Sequence, residues 1–271
     1  IYFRHTKTVA IEDINNKKHY CNFIINSNPQ FINRFNYKNY NMNSKGKLLL
    51  GPRYSILNFK RKKKINKGLT ITFYLGGSGN LIYFYNIIKD LSFKKKFKII
   101  IVIGPLSKNK KKILKLFKNL KHLSIVENCK DIDNVLSKTS ILVSSAGMIS
   151  VESSRYQIPS ILFQISDNQI VPNFYLEKLG MYFNLKKKNI FKKKKIVSFI
   201  LNISNKLKKV KKNFRPSYTI DGRGVNRIFN YIVNNKNTCD VNFDTKIASI
   251  KKKLLLINDK AINTYLLARN L

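Results

Sequence analysis

Between residue 66 and about residue 210 of this 271-residue chain, short β-rich apolar runs alternate with runs of helical apolar spacing. Such alternation is satisfied by a parallel sheet covered by helices on both faces, which restricts the chain to the α/β class. Leu69 to Leu75 reads as a strand that ends in Gly76-Gly77-Ser78-Gly79, and Asn80 to Leu91 follows with helical spacing. Lys98 to Ile103 is a second buried strand closed by Gly104-Pro105, and Lys108 to Leu120 is an amphipathic helix. The pattern continues through strand Leu123 to Val126, helix Asp131 to Ser137, strand Ser140 to Ser144 and helix Met148 to Tyr156, which Pro159 closes. Ser160 to Ile165 and Met181 to Leu185 read as strands, and Asn173 to Leu179 and Ile196 to Leu207 as helices. About five parallel strands are expected.

Around this unit the chain is less regular. Residues 1–60 read as the closing part of an earlier domain, with Phe35 to Ser44 as an Asn-rich loop. Phe59 to Lys67 is basic and poor in apolar residues, as a linker would be. The chain opens on Ile1 rather than Met, and Thr8 to Ile11 reads as a strand entering from something earlier, so truncation is expected. At the other end, strand Leu254 to Ile257 and helix Ile262 to Leu267 lack a partner to bury their faces, so a further domain is expected after Leu271.

The formal charge is +40, which ordinarily points to nucleic acid or an anionic membrane. Here the charge comes mostly from Lys, spread with Asn and Ile through loops and elements alike, as AT-rich coding would produce. The Lys runs at Lys62 to Lys64, Lys94 to Lys96, Lys110 to Lys112 and Lys192 to Lys195 fall at element edges, where solvated charge belongs. No basic platform interleaved with aromatics appears, so no specific nucleic-acid partner is expected. Apolar runs are too short to span a bilayer and no signal peptide opens the chain, so a cytoplasmic protein with no membrane partner is expected. Cys21, Cys129 and Cys239 lie far apart with no CxxC, and neither a disulfide framework nor a metal site is expected.

Two constellations carry chemistry. Gly76-Gly77-Ser78-Gly79 sits between a strand and a helix, where missing Cβ atoms let backbone N–H groups approach an anion. A turn of this kind also serves packing alone, and it lacks both the Lys of a P-loop and the full GxGxxG pattern. The second is Ser144-Ser145-Ala146-Gly147, then Glu152, and Asp167-Asn168-Gln169 after the next strand. Small residues at a strand's C-terminal end admit a phosphate, and Glu152, about one and a half turns into the helix, is placed to accept ribose hydroxyls. A solvated helix glutamate gives the same spacing. Asn168 and Gln169 suit sugar hydroxyls or ordinary loop capping.

The segment ILVSSAGMISVESSRYQIPSILFQISDNQ (Ile141 to Gln169) resembles the signature of the UDP-sugar hydrolases of pseudaminic acid biosynthesis, and more distantly the MurG-type glycosyltransferases of GT-B fold. LLLGPRYSIL (Leu48 to Leu57) resembles that family's LLGPxYxxL motif, FYLGGSGN (Phe73 to Asn80) its GGSD-type loop, and DGRGVNRI (Asp221 to Ile228) its closing helix. AIEDINNKKHYCNFIINSNP (Ala10 to Pro29) is similar to the exit of its first domain. The resemblance covers about residues 8 to 235. It implies a GT-B architecture in which residues 1–60 close a first domain and residues 61–235 form a UDP-binding Rossmann-like domain.

The resemblance further implies that Gly76, Gly77, Ser78, Ser145, Ala146 and Gly147 surround the diphosphate and that Glu152 holds the ribose. By the same likeness, Cys129 and Ile132 line uracil, Asn168 and Gln169 face the sugar, and Tyr54 lies near the cleft between domains. The implied reaction is hydrolysis of a UDP-linked 2,4-diacetamido-2,4,6-trideoxyhexose to UDP and free sugar, with no metal or cofactor. The family's general base is a His in a GxGH motif, which this chain does not contain; His5, His19 and His122 lack its glycine context and read as structural or solvent-facing. Transfer of a UDP-linked sugar by a MurG-type enzyme is the alternative, and nucleic-acid binding is the alternative from another class. Departures from the pattern are GGSGN in place of GGSDPxN, Glu12-Asp13 in place of two aspartates, and Asn22 in place of the Asp after Cys. Residues 242–271 resemble the opening strand and helix of a GNAT-type N-acetyltransferase, with Ala268-Arg269-Asn270 matching its RN.

Overall fold

A computed structural model describes residues 6–13, 18–29, 45–57, 68–163, 169, 176, 182–185, 193–207 and 221–234. The chain divides into two units, one of Ile1–Phe59 with Tyr218–Asn270 and one built on Lys60–Ser217. The GNAT-like segment 242–271, the Asn-rich loop, the linker and the helix expected over 173–179, apart from Leu176, lie outside the described residues.

In the first unit, β1 (Val9–Ile11), β2 (Phe23–Asn26) and β3 (Lys47–Leu50) form a parallel sheet in that order. Successive side chains on a strand point to opposite faces. Ile24 and Leu50 therefore bury with Cys21 on one side, and Phe23, Ile25 and Leu49 with Tyr54 and Ile228 on the other. Asn22 fastens the start of β1 by accepting from Thr8 N–H at 2.8 Å and Thr8 Oγ1 at 3.1 Å.

The helix Gly224–Asn234, which the sequence reading grouped with residues 61–235, packs on this first sheet. Three contacts explain it. Ile228 joins the core formed by Phe23, Ile25, Leu49 and Tyr54. Arg227 donates to Arg53 O at 3.0 Å while pairing with Asp221. Gly224 presses on the turn at Ser55 so closely that a Cβ there would lie 2.2 Å from Ser55 O. Burial raises the Asp221 carboxyl, but the Arg227 guanidinium and backbone N–H groups outweigh it and hold the group below the usual carboxylate value.

The second unit contains β4 (Leu69–Tyr74), β5 (Phe97–Ile103), β6 (Leu123–Glu127), β7 (Ile141–Ser145), β8 (Ser160–Phe163) and β9 (Tyr182–Leu185). These six strands are all parallel, in the order β6-β5-β4-β7-β8-β9. The described helices are α1 (Tyr85–Ser92), α2 (Lys110–Phe117), α3 (Ile132–Lys138), α4 (Met148–Ser154) and α5 (Lys193–Asn205); Gly224–Asn234 of the first unit is α6. The six strands match, one for one, the six runs read as strands along the chain, one more than the count of about five. The run expected as one helix from Asn80 opens instead with a 3-10 turn, Leu81–Phe84, capped by Asn80 Oδ1 accepting from Ile82 N–H at 3.1 Å. That turn drives Phe84 into the core between Phe73 and Phe163, with ring centroids 6.0 and 4.8 Å away.

The strand order follows the doubly wound pattern: the chain moves outward from β4 to β6, then returns across β4 to start β7. Between β4 and β7 the direction of winding reverses, and open sheets of this kind place ligands outside the carboxyl ends of the strands at that point. No helix among the described residues is long and apolar enough to cross a membrane.

Candidate functional site

The loops that leave β4 and β7 carry both constellations, so the fold brings Gly76-Gly77-Ser78 and Ser145-Ala146-Gly147 to adjacent strand ends. Ser144 Oγ donates to Tyr74 O at 2.6 Å and ties the two ends together. Gly76 adopts φ +81°, a conformation that favours glycine, and a Cβ on it would lie 3.9 Å from Ser145 Oγ. On the other side, a Cβ at Gly104 would lie 2.4 Å from Gly76 O and 2.3 Å from Gly77 O. Leu106 N–H donates to Gly77 O at 2.9 Å, and Ser107 Oγ donates to Gly79 O at 3.2 Å. Both loop carbonyls therefore turn toward the end of β5. In a planar trans peptide the following N–H points the opposite way, so the N–H groups of Gly77 and Ser78 are directed away from Gly104.

Among the described residues, nothing in conformation or packing requires two glycines here to be glycine. Gly77 and Gly147 both avoid the left-handed region, and a Cβ on either meets no heavy atom of the described residues within 4 Å. Glycine at open positions beside a strand end lets a ligand approach the backbone closely.

Glu152 lies in α4 and is only 8% exposed, which removes the reading of a solvated helix glutamate. Ionised carboxylates are not buried without hydrogen-bonding partners, and Glu152 is engaged. Ser150 holds the start of the helix, its N–H and Oγ both donating to Gly147 O at 3.0 and 2.5 Å. Sequence reasoning missed the next residue pair. Tyr156 Oη donates to the buried Asp133 carboxylate and so joins the end of α4 to α3. Burial, first, and then that hydrogen bond push the Tyr156 phenol far above its ordinary value, so it stays a donor. No local pattern signals this pair, because its residues lie 23 positions apart.

Cys129 and Ile132 flank the loop from β6 into α3, at the same edge of the sheet. Asp131 caps this helix, its Oδ1 accepting from Asn134 N–H at 3.0 Å. Burial pushes the Cys129 thiol up, outweighing the Asp131 backbone N–H that draws it down, and the Asp131 carboxylate adds to the rise. Tyr74, the last residue of β4, is raised by burial and by its proximity to Cys129. A raised thiol is a poor nucleophile at neutral pH, which suits lining rather than covalent chemistry. Alkylation of Cys129 by iodoacetamide is therefore expected to run slower at pH 7 than for an unhindered cysteine, and to rise as the pH climbs past the ordinary thiol value. Peptide mass mapping of the half-buried Cys129 checks this, and an ordinary neutral rate would contradict it.

The remaining candidates separate. Gln169 is half-buried and engaged, while Asn168 lies outside the described residues. Tyr54 is buried in the first unit, its ring meeting Tyr231 edge-on at 6.3 Å with the Arg53 guanidinium 5.4 Å from its centroid. Packing accounts for it there. His19 Nε2 sits 3.2 Å from Glu12, His122 is exposed in a turn, and His5 lies outside the described residues. No group of three metal-ligating side chains occurs among the described residues.

No family model and no curated protein matches the chain. Among solved structures, Acinetobacter baumannii MurG is similar over 78% of this chain and 65% of its own, at 10% identity and a TM-score of 0.56. A calicheamicin glycosyltransferase is similar over 76% of this chain and 50% of its own, at 12% identity and a TM-score of 0.51. The fold is of the GT-B type. A UDP-GlcNAc 2-epimerase from Neisseria meningitidis covers 59% of this chain at 17% identity, with a TM-score of 0.47. The chain spans 43% to 65% of the length of these three structures. Within this GT-B chain the candidate site occupies the carboxyl edge of the second sheet, at its switch point.

Proposed function

We propose that the second unit binds the UDP moiety of a UDP-linked sugar at the β4–β7 switch point. The observation that carries this reading is the pair of open glycines, Gly77 and Gly147, on the loops that leave the adjacent strands β4 and β7, with the Gly76 and Gly77 carbonyls turned toward Gly104. The diphosphate lies against the N–H groups of Gly77 and Ser78 and the Ser145-Ala146-Gly147 turn. Glu152 accepts from the ribose hydroxyls, Cys129 and Ile132 line the base, and Asn168 and Gln169 face the sugar. Likeness to MurG and to a calicheamicin glycosyltransferase supports nucleotide-sugar chemistry.

The reaction we assign to the whole protein is hydrolysis of a UDP-linked 2,4-diacetamido-2,4,6-trideoxyhexose, on the strength of the motifs from Ile141 to Gln169. A water oxygen forms a bond to the anomeric carbon and its proton passes to a base. The bond from that carbon to the diphosphate breaks, and UDP leaves with the electron pair. Backbone N–H groups at the glycine loop stabilise the departing charge. Transfer to an acceptor, the MurG-type alternative, shares the UDP site and differs only in the nucleophile. The 271 residues by themselves, without a GxGH base, are expected to bind UDP but not to turn over substrate. Assaying UDP release by the whole protein from the UDP-linked sugar with no acceptor separates the two reactions: release with stoichiometric free sugar is expected, and strict dependence on an added acceptor would replace hydrolysis by transfer.

A further inference from the structure

The chain carries a formal charge of +40, and in the second unit the few acidic residues are not spread evenly between the two edges of the sheet. In a parallel sheet all turns that enter strands lie at one edge and all turns that leave them at the other. The entering edge carries exposed Lys94, Lys95 and Lys96 before β5, Lys118 and Lys121 before β6, and Arg155 before β8. None of these turns, nor the one before β7, contains Asp or Glu; Asp90, half-buried and engaged in the last part of α1, is the nearby acid on that element. The leaving edge holds exposed Lys108, Lys111, Lys112 and Lys130, but also Glu127, paired with Lys110 at 2.7 Å, and Asp131. Asp133 and Glu152 are buried in the helices that follow those loops. Lysines thus occur at both edges, but among the described turns acidic residues occur only at the edge that carries the candidate site.

Phe93 stands in the middle of this basic edge. It follows α1 directly, precedes Lys94-Lys95-Lys96, and is 65% exposed. An exposed aromatic followed by lysines is the arrangement that inserts into the headgroup region of an anionic bilayer while the cations meet its charge. The row of turns from β6 to β8 spans four strand spacings, roughly 20 Å at about 4.8 Å per strand. Single-stranded nucleic acid instead calls for a series of aromatic platforms, and Phe93 is the one large apolar side chain exposed in these turns among the described residues.

We propose that the entering edge of the second sheet docks on anionic lipid, with Phe93 inserted and Lys94, Lys95, Lys118 and Lys121 facing the headgroups. Docking there leaves the leaving edge, with the nucleotide-sugar site, turned to the aqueous side. The chain contains no Trp, so Phe93→Trp creates a single clean fluorophore. Its emission is expected to shift to the blue on phosphatidylcholine vesicles containing about one third phosphatidylglycerol, at about 0.15 M salt, and not on phosphatidylcholine alone. Vesicle co-sedimentation should fall about tenfold or more for Lys94→Glu with Lys95→Glu, but less than about twofold for Lys111→Glu with Lys112→Glu, which change the net charge equally. No blue shift, or equal losses in the two double variants, would overturn the proposal. A shift produced equally by duplex RNA at matched phosphate would reassign the edge to nucleic acid.

Discussion

Gly104→Ala is expected to lower the stability of the second unit by about 3 kcal/mol, because overpacking against backbone leaves no flexible side chain to yield. The added methyl would sit 2.3 Å from Gly77 O and 2.4 Å from Gly76 O, and relief requires moving either β5 or the glycine loop. β5 is fixed by pairing with strands on both sides, so the loop is the part that moves. Denaturant unfolding reads the stability, and UDP affinity reads the loop. Gly77→Ala is the matched control: its methyl meets no heavy atom of the described residues within 4 Å, so stability should hold within about 0.5 kcal/mol while UDP binding weakens. Wild-type stability in Gly104→Ala would refute the close approach, and unchanged UDP affinity in Gly77→Ala would mean that nothing approaches the open side of the loop.

In the first unit, Gly224→Ala is expected to cost about 2 to 3 kcal/mol. Its methyl would lie 2.2 Å from Ser55 O and 2.9 Å from Ser55 N, both backbone atoms of the turn that follows Pro52–Tyr54. Lifting α6 to make room would draw Ile228 out of the core it shares with Phe23, Ile25, Leu49 and Tyr54. The Arg227 hydrogen bond to Arg53 O would lengthen as well. A first-unit unfolding transition displaced to lower denaturant is the expected result. Loss in the second-unit transition instead would show that α6 belongs with the second sheet.

Much of the second unit is legible along the chain because buried parallel strands read as continuous apolar runs, as Phe97–Ile103 and Ile141–Ser145 do. The switch point is legible too, since glycine and small residues fall at the ends of the runs that become β4 and β7. The place of α6 is not. An amphipathic helix shows the same apolar stripe whichever sheet receives it, and what directs it to the first sheet is the closeness of Gly224 to Ser55 and the bond from Arg227 to Arg53. Gly104 reads as a strand terminator beside Pro105, and only the approach of the Gly76-Gly77 carbonyls explains why it has no side chain. Glu152 is ambiguous by spacing, and burial decides that it is not a solvated residue. The Tyr156–Asp133 bond joins residues 23 positions apart, beyond any local pattern. Charge is misleading when counted over the whole chain, because what distinguishes the two edges of the second sheet is where the few acidic residues fall, not where the lysines do.

The most direct test of nucleotide binding at the switch point is calorimetric titration of UDP into the full 271-residue chain and into Glu152→Ala, with salt high enough to screen the exposed lysines. The account predicts saturable binding at one site, weakened about tenfold, or about 1.4 kcal/mol, by Glu152→Ala. Equal UDP affinity in the two proteins would contradict the ribose role of Glu152, and no UDP binding by the unaltered chain would contradict the site itself.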